Sequence, residues 1–487
     1  MSQSVDPQPT AVDEPAGNPQ KVTRTVLTAM VVGSMVGAGV FSLPARFGVA
    51  AGVAGALIAW AVAGGGMLML AFVFQTLAIR KPKLDSGVFI YAKAGFGDYM
   101  GFNSAIGFWA SACAGNTFYW VFMTATVGAF FPQLGNGDTL LAVGISTVGV
   151  WLFHYLIARG VRDAAIINRI VTVFKVIPII TFIVVVAFAF DPSVFLANFA
   201  SYDLGSMTQQ VRNTMIITTF VFIGIEGASV YSRFAQKREH VGQATVLGLL
   251  SVLAIFSLVT MVSYGAFARP EIAATRQPSM AGLFAEVVGP WGEAFISVAV
   301  LVSVLGAYLA WTLMAAEVLY MPAHNEDLPR IFGQEDKGGT PIVALIASTV
   351  FVQTLLIITL FVADALNFML DLCTSLALLP YLLAAGYSLK LALTGESYGA
   401  DDEKAQRKDA IIAGIAVVYT IFLFVAAGLK FLLLMCIILA PAAALYVKAR
   451  SERGRRLFSP SELTIFITIA AFAVIGLVGL ITGFITI

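Results

Sequence analysis

Gly33-Ser34-Met35-Val36-Gly37-Ala38-Gly39-Val40-Phe41, with Pro44 close behind, lies inside an apolar segment running from 25 to 47. A segment of that length crosses a bilayer, which takes about 20 apolar residues in helical form. Each glycine costs a helix about 1 kcal/mol relative to alanine, so Gly33, Gly37 and Gly39 weaken this helix near its centre. Unwound backbone at membrane depth is tolerated only where protein buries it or where it lines a cavity. The half-helix that follows would aim its N-terminus, the positive end of its dipole, at an anion such as a carboxylate. This stretch alone leaves a second reading open, in which the glycines serve close helix packing.

Composition sets the class around it. Of 487 residues, 59% are hydrophobic and 12% charged, and mean hydropathy is +0.88. Soluble domains are about one quarter charged, so this is an all-α integral membrane protein. A net charge of +1 makes no electrostatic case for nucleic acid. Cys113, Cys373 and Cys436 all fall in apolar segments and read as buried thiols rather than a disulfide framework. The three histidines are scattered, so neither a metal site nor a cofactor is expected. Residues 1–20, rich in Pro, Ser, Gln and acid, read as a disordered cytoplasmic tail with no cleavable signal peptide.

Apolar stretches recur at 25–47, 52–79, 100–131, 140–158, 168–190, 212–232, 243–267, 291–319, 342–362, 367–391, 410–428, 430–447 and 462–485, which makes thirteen expected spans. With the N-terminus placed in the cytoplasm, all but five of the 29 Lys and Arg fall on the inner side; the exceptions are Arg46, Arg212, Arg269, Arg276 and Lys430. That bias is the positive-inside signature of a multi-pass protein of the plasma (inner) membrane. Thirteen spans put the C-terminus outside.

The sixth span repeats the theme of the first. Phe220-Val221-Phe222-Ile223-Gly224-Ile225-Glu226-Gly227-Ala228-Ser229 combines mid-span glycines with a carboxylate. Spans one and six occupy corresponding places in two five-helix halves, and an odd repeat gives the halves opposite topology. Paired Gly-interrupted spans in such positions are the best sequence pointer to a transporter's binding site. The second break favours the unwound reading of the first.

The motifs then become specific. Gly37-Ala38-Gly39-Val40-Phe41 and Phe222-Ile223-Gly224-Ile225-Glu226 resemble the first- and sixth-helix motifs of the amino acid–polyamine–organocation superfamily. Trp311-Thr312-Leu313 and Gly338-Gly339-Thr340-Pro341 match further along, and the longer strings Gly33–Phe41 and Phe222–Ser232 resemble the arginine:ornithine and lysine permease branch of its basic amino acid/polyamine antiporters. The resemblance covers about residues 22–450. It implies a LeuT-type 5+5 inverted repeat with discontinuous helices 1 and 6, divided as 21–190 and 191–392, with about three peripheral helices in 393–487. It also implies a sodium-independent secondary transporter working by alternating access, exchanging cationic amino acids, arginine for ornithine first among them. A lysine permease, proton-coupled or exchanging a decarboxylation product, is the nearer alternative, and a sensor that binds without transport the remoter one. The chain would be no enzyme, its partners would be arginine, ornithine, lysine and membrane lipid, and it would act as a monomer or homodimer.

The same resemblance assigns residues. Gly37, Ala38 and Gly39 would donate backbone N–H groups to the substrate carboxylate, with Ala38 standing where the family often has serine. Carbonyls near Phe222 and Ile223 would take the α-ammonium. Phe108, Phe220 and Trp311 match the family's aromatic cage, where a cation over a ring gains roughly 0.5–2 kcal/mol; single membrane aromatics otherwise serve the core. Ser111, Asn116 and Cys373 fall near side-chain pocket positions. Glu226, an ionisable group within a span, is expected to sense protons and touch substrate, or to accept N–H bonds from the interrupted helix. Glu317, six residues beyond Trp311, would pair with the substrate's cationic end or mark the cytoplasmic end of its helix; Asp371 carries the same ambiguity. Lys175 would replace a sodium ion, or snorkel to the headgroups.

Overall fold

The computed structural model describes residues 23–82, 84, 88–159, 164–226, 238–336 and 338–486. The expected tail at 1–20, the stretch from Gly227 to Ser232, and Lys337 lie outside the described residues. Those described form helices and turns, with no strand among them. Among the described residues eight helices are long and apolar enough to cross a membrane, or up to ten if each bent helix pair counts as one span.

The first span is broken where its glycines fall. Helix α1 (Arg24–Met35) stops, Gly37 is extended at φ −111° and ψ −159°, and a 3-10 turn (Ala38–Ser42) leads into α2 (Leu43–Ala50). Pro44 sits in the first turn of α2, where its missing N–H costs nothing. The two halves meet at 48°. Then come α3 (Val53–Arg80), the short α4 (Val88–Phe96) and α5 (Asp98–Gly128).

Helix α5 fills the middle of the molecule. It buries residues on every face, among them Asn103, Ser104, Ser111, Asn116, Thr117, Thr124 and Thr126. Polar side chains are tolerated in a span when protein rather than lipid surrounds them. After it come α6 (Leu140–Ala158), α7 (Ala164–Phe188), the short α8 (Pro192–Ala197) and α9 (Met207–Phe222).

The chain continues through α10 (Arg238–Ala266), the short α11 (Arg269–Ala274) and α12 (Ser279–Val288), and α13 (Pro290–His324). Helices α14 (Ile342–Ile358), α15 (Ala365–Thr394), α16 (Glu403–Ser451) and α17 (Pro460–Ile481) complete it. Gly428, at φ 80° and ψ 170°, interrupts α16, dividing it where the sequence analysis put a boundary between two spans. Burial grades from centre to rim: 83% of the apolar window of α15 is buried but only 17% of that of α17. Among the eight long apolar helices, α17 is the least buried. Among the ties at the helix ends, Arg80 bonds Asp402 at 3.0 Å, which holds that carboxyl below the ordinary range.

Candidate functional site

The second break answers the first. Helix α9 ends at Phe222, and the chain turns through Ile223, Gly224 and Glu226 while still buried. Gly224 has φ +111°, and a Cβ added there would stand 2.7 Å from the Ser34 carbonyl oxygen. Only glycine satisfies both the backbone conformation and the close approach. Ser34 Oγ donates to the Gly224 carbonyl at 3.2 Å and to the Val31 carbonyl at 2.8 Å, so the two interruptions touch.

A narrow cavity opens beside them. Five parts of the chain line it: the break after α1, α5, α9 with its turn, α13 and α15. Eight of the residues expected from sequence meet there: Gly37, Ala38, Gly39, Ser111, Phe220, Ile223, Trp311 and Cys373. Gly39 is held tightly, since a Cβ would come within 2.9 Å of the Phe220 ring and of Val221. Close packing and unwinding are therefore both present in the first span. Ser111 Oγ donates to the Cys373 carbonyl at 2.7 Å, joining α5 to α15.

Others stand behind this lining. Phe108 backs Trp311, with ring centroids 6.4 Å apart. Asn116 is buried and its Nδ2 donates to Thr312 Oγ1 at 3.2 Å, bridging α5 to α13. Phe222 turns its ring to Trp60 and Phe256, and its carbonyl accepts the Ile225 N–H at 3.2 Å. Buried Glu226 does not line the cavity. Its Oε2 accepts the Tyr381 hydroxyl at 2.7 Å and the Gly224 N–H at 3.2 Å, so it links the broken helix to α15. Lys175 is 4% exposed, which does not suit a snorkelling lysine, and its Nζ donates to the Gly33 carbonyl at 3.4 Å.

Two acidic residues lie apart. Glu317 is exposed on α13, away from the cavity. Asp371 pairs with Arg46 at 2.7 Å, tying α15 to α2. The sequence analysis passed over Ser34, Met35 and Tyr119, which also line the cavity. Tyr119 had a usable signal, because Ser111, Gly115 and Tyr119 follow at intervals of four along one stripe of α5. All three cysteines are free and buried, and no metal-binding cluster occurs among the described residues.

Apolar helices packed around a polar central helix, with two interruptions meeting at a buried cavity, define a multi-pass membrane protein that admits a small solute to its interior. The amino acid permease family matches residues 25–432, and the chain belongs to that family. It is a transporter and not an enzyme, as the motifs implied. It is 46% identical to the arginine/ornithine antiporter of Pseudomonas aeruginosa, over 96% of this chain and 98% of that one. It is 37% identical to the L-lysine transport protein of Corynebacterium glutamicum, over 96% and 97%, and 35% identical to the arginine/agmatine antiporter of Chlamydia abortus, over 92% and 93%.

Proposed function

We propose that this protein exchanges cationic amino acids across the plasma membrane, arginine for ornithine, without sodium. The observation that carries the reading is the contact of the two interrupted spans at one cavity. The unwound N–H groups of Gly37, Ala38 and Gly39 bind the α-carboxylate there, and the turn at Ile223 supplies acceptors for the α-ammonium. Trp311 and Phe220 enclose the substrate's aliphatic and cationic part. Lys175, bonded to the Gly33 carbonyl, holds the first break in the place a sodium ion would take. Glu226 couples the second break to protonation through Tyr381. Glu317 has no direct part. The fold is a 5+5 inverted repeat of 21–190 and 191–392 with thirteen spans in all, and rocking of spans one and six against the remainder exposes the cavity alternately to each side. An exchanger of two equally charged amino acids needs no net ion coupling.

Counterflow in proteoliposomes tests this. Vesicles loaded with ornithine, given labelled arginine outside and neither sodium nor an imposed gradient, should take up label rapidly, and empty vesicles should not. Equal uptake into empty vesicles would overturn exchange in favour of a uniporter or proton symporter. Preference for lysine over arginine would place the protein with the lysine-transporting relative.

A further inference from the structure

Hydrogen-bond donors are few in this cavity, and most are already engaged. The Ser34 hydroxyl donates to the carbonyls of Val31 and Gly224. That of Ser111 donates to the Cys373 carbonyl. Ala38, in the middle of the unwound run, has no hydroxyl to give. Tyr119 differs. The residue is 7% exposed and lines the cavity, and among the described residues its hydroxyl has no hydrogen-bond partner. That hydroxyl stands 3.4 Å from where a Cβ on Gly37 would lie, at the start of the run Gly37 to Gly39 that lines the cavity. A hydroxyl that faces the cavity without a partner in the protein is free to bond a ligand there. An acceptor seated on the Gly37 to Gly39 amides comes within its reach.

We infer that Tyr119 is a specificity-determining residue, donating its phenolic proton to the substrate carboxylate beside the unwound amides. The inference rests on the exchange reading above and deepens it. The break supplies backbone donors and α5 supplies a side-chain donor, so the α-carboxylate is read from two elements at once. A ligand without a carboxylate leaves the Tyr119 hydroxyl unpaired. The residue therefore favours intact amino acids over their decarboxylation products.

Agmatine is arginine without its carboxylate, so the two ligands isolate this contact. Binding of each to the purified full chain would be compared between wild type and Tyr119→Phe. The substitution removes one oxygen that bonds to no described residue, so the fold should persist, and retained agmatine binding reports that it does. A hydrogen bond to a charged group is worth enough to predict that arginine binding weakens about tenfold or more. Agmatine binding should change by less than about twofold, so the preference for arginine collapses. Equal weakening of both ligands, or no change in either, would overturn the inference while leaving exchange by the wild type intact. A wild type that neither binds nor exchanges arginine would remove the transport reading first, and this inference with it.

Discussion

Gly39 shows how closely one residue can be determined by its surroundings. A methyl group there would press on the Phe220 ring and on Val221 at 2.9 Å, in the wall of the cavity itself. The ring cannot retreat freely, because Phe220 is packed edge-on against Phe118 at 5.1 Å between centroids. Overpacking of this kind costs about 1–3 kcal/mol, and here the strain falls on a wall that has to move during transport. Gly39→Ala is therefore expected to slow arginine counterflow by about tenfold or more at equal protein level. Gly65→Ala is the control, since nothing lies within 4 Å of a carbon added there, and it should transport like the wild type. Equal rates in the two variants would mean that the contact at Gly39 carries no functional constraint.

Elements are joined by contacts whose energetics differ from those of single residues. Arg46 and Asp371 tie α2 to α15 at 2.7 Å with side chains 18% and 24% exposed. Removing one partner of a largely buried pair strands the other charge, and removing both does not. Arg46→Ala and Asp371→Ala are each expected to lower the apparent melting temperature in detergent, and the double variant should be more stable than the worse single one. Strictly additive losses would show that the pair is not coupled. This tie was illegible in the sequence because its members are 325 positions apart. The breaks were legible because their cause is local: glycines clustered at mid-span, and a carboxylate beside the second. Glu317 stands outside the cavity lining for a geometric reason. Six residues turn a helix by about 240°, so sharing α13 with Trp311 does not bring it to the same face. Tyr119 had only its spacing of four from Gly115 and Ser111 to mark it, because burial on every face of α5 leaves no polar and apolar sides that set the cavity stripe apart.

At the scale of the whole molecule, orientation and span count stand or fall together. Under the proposed alternation of thirteen spans, every ion pair among the described residues joins two groups on one side. Arg46–Asp371 and Arg269–Asp203 fall outside. The pairs of Arg80 with Asp402 and Asp409, Lys81 with Glu396, Lys93 with Asp98 and Asp327, Arg450 with Asp98, and Arg455 with Glu326 fall inside. One span fewer between α4 and α13 would set Lys93 and Asp327, which are 2.5 Å apart, on opposite sides of a hydrocarbon layer about 30 Å thick. No such pair checks α17, whose far end no described ion pair reaches. Cysteine labelling supplies the missing check, with a low background because the native cysteines are buried. Asn136→Cys, Ser451→Cys and Thr482→Cys each place a thiol at an exposed position. A membrane-impermeant maleimide should label positions 136 and 482 in intact cells, and position 451 only in inside-out vesicles. If position 482 instead labels together with 451, α17 does not cross, the count falls to twelve and the C-terminus is cytoplasmic. The sides assigned to the paired groups would stand, since none of those pairs involves the last helix.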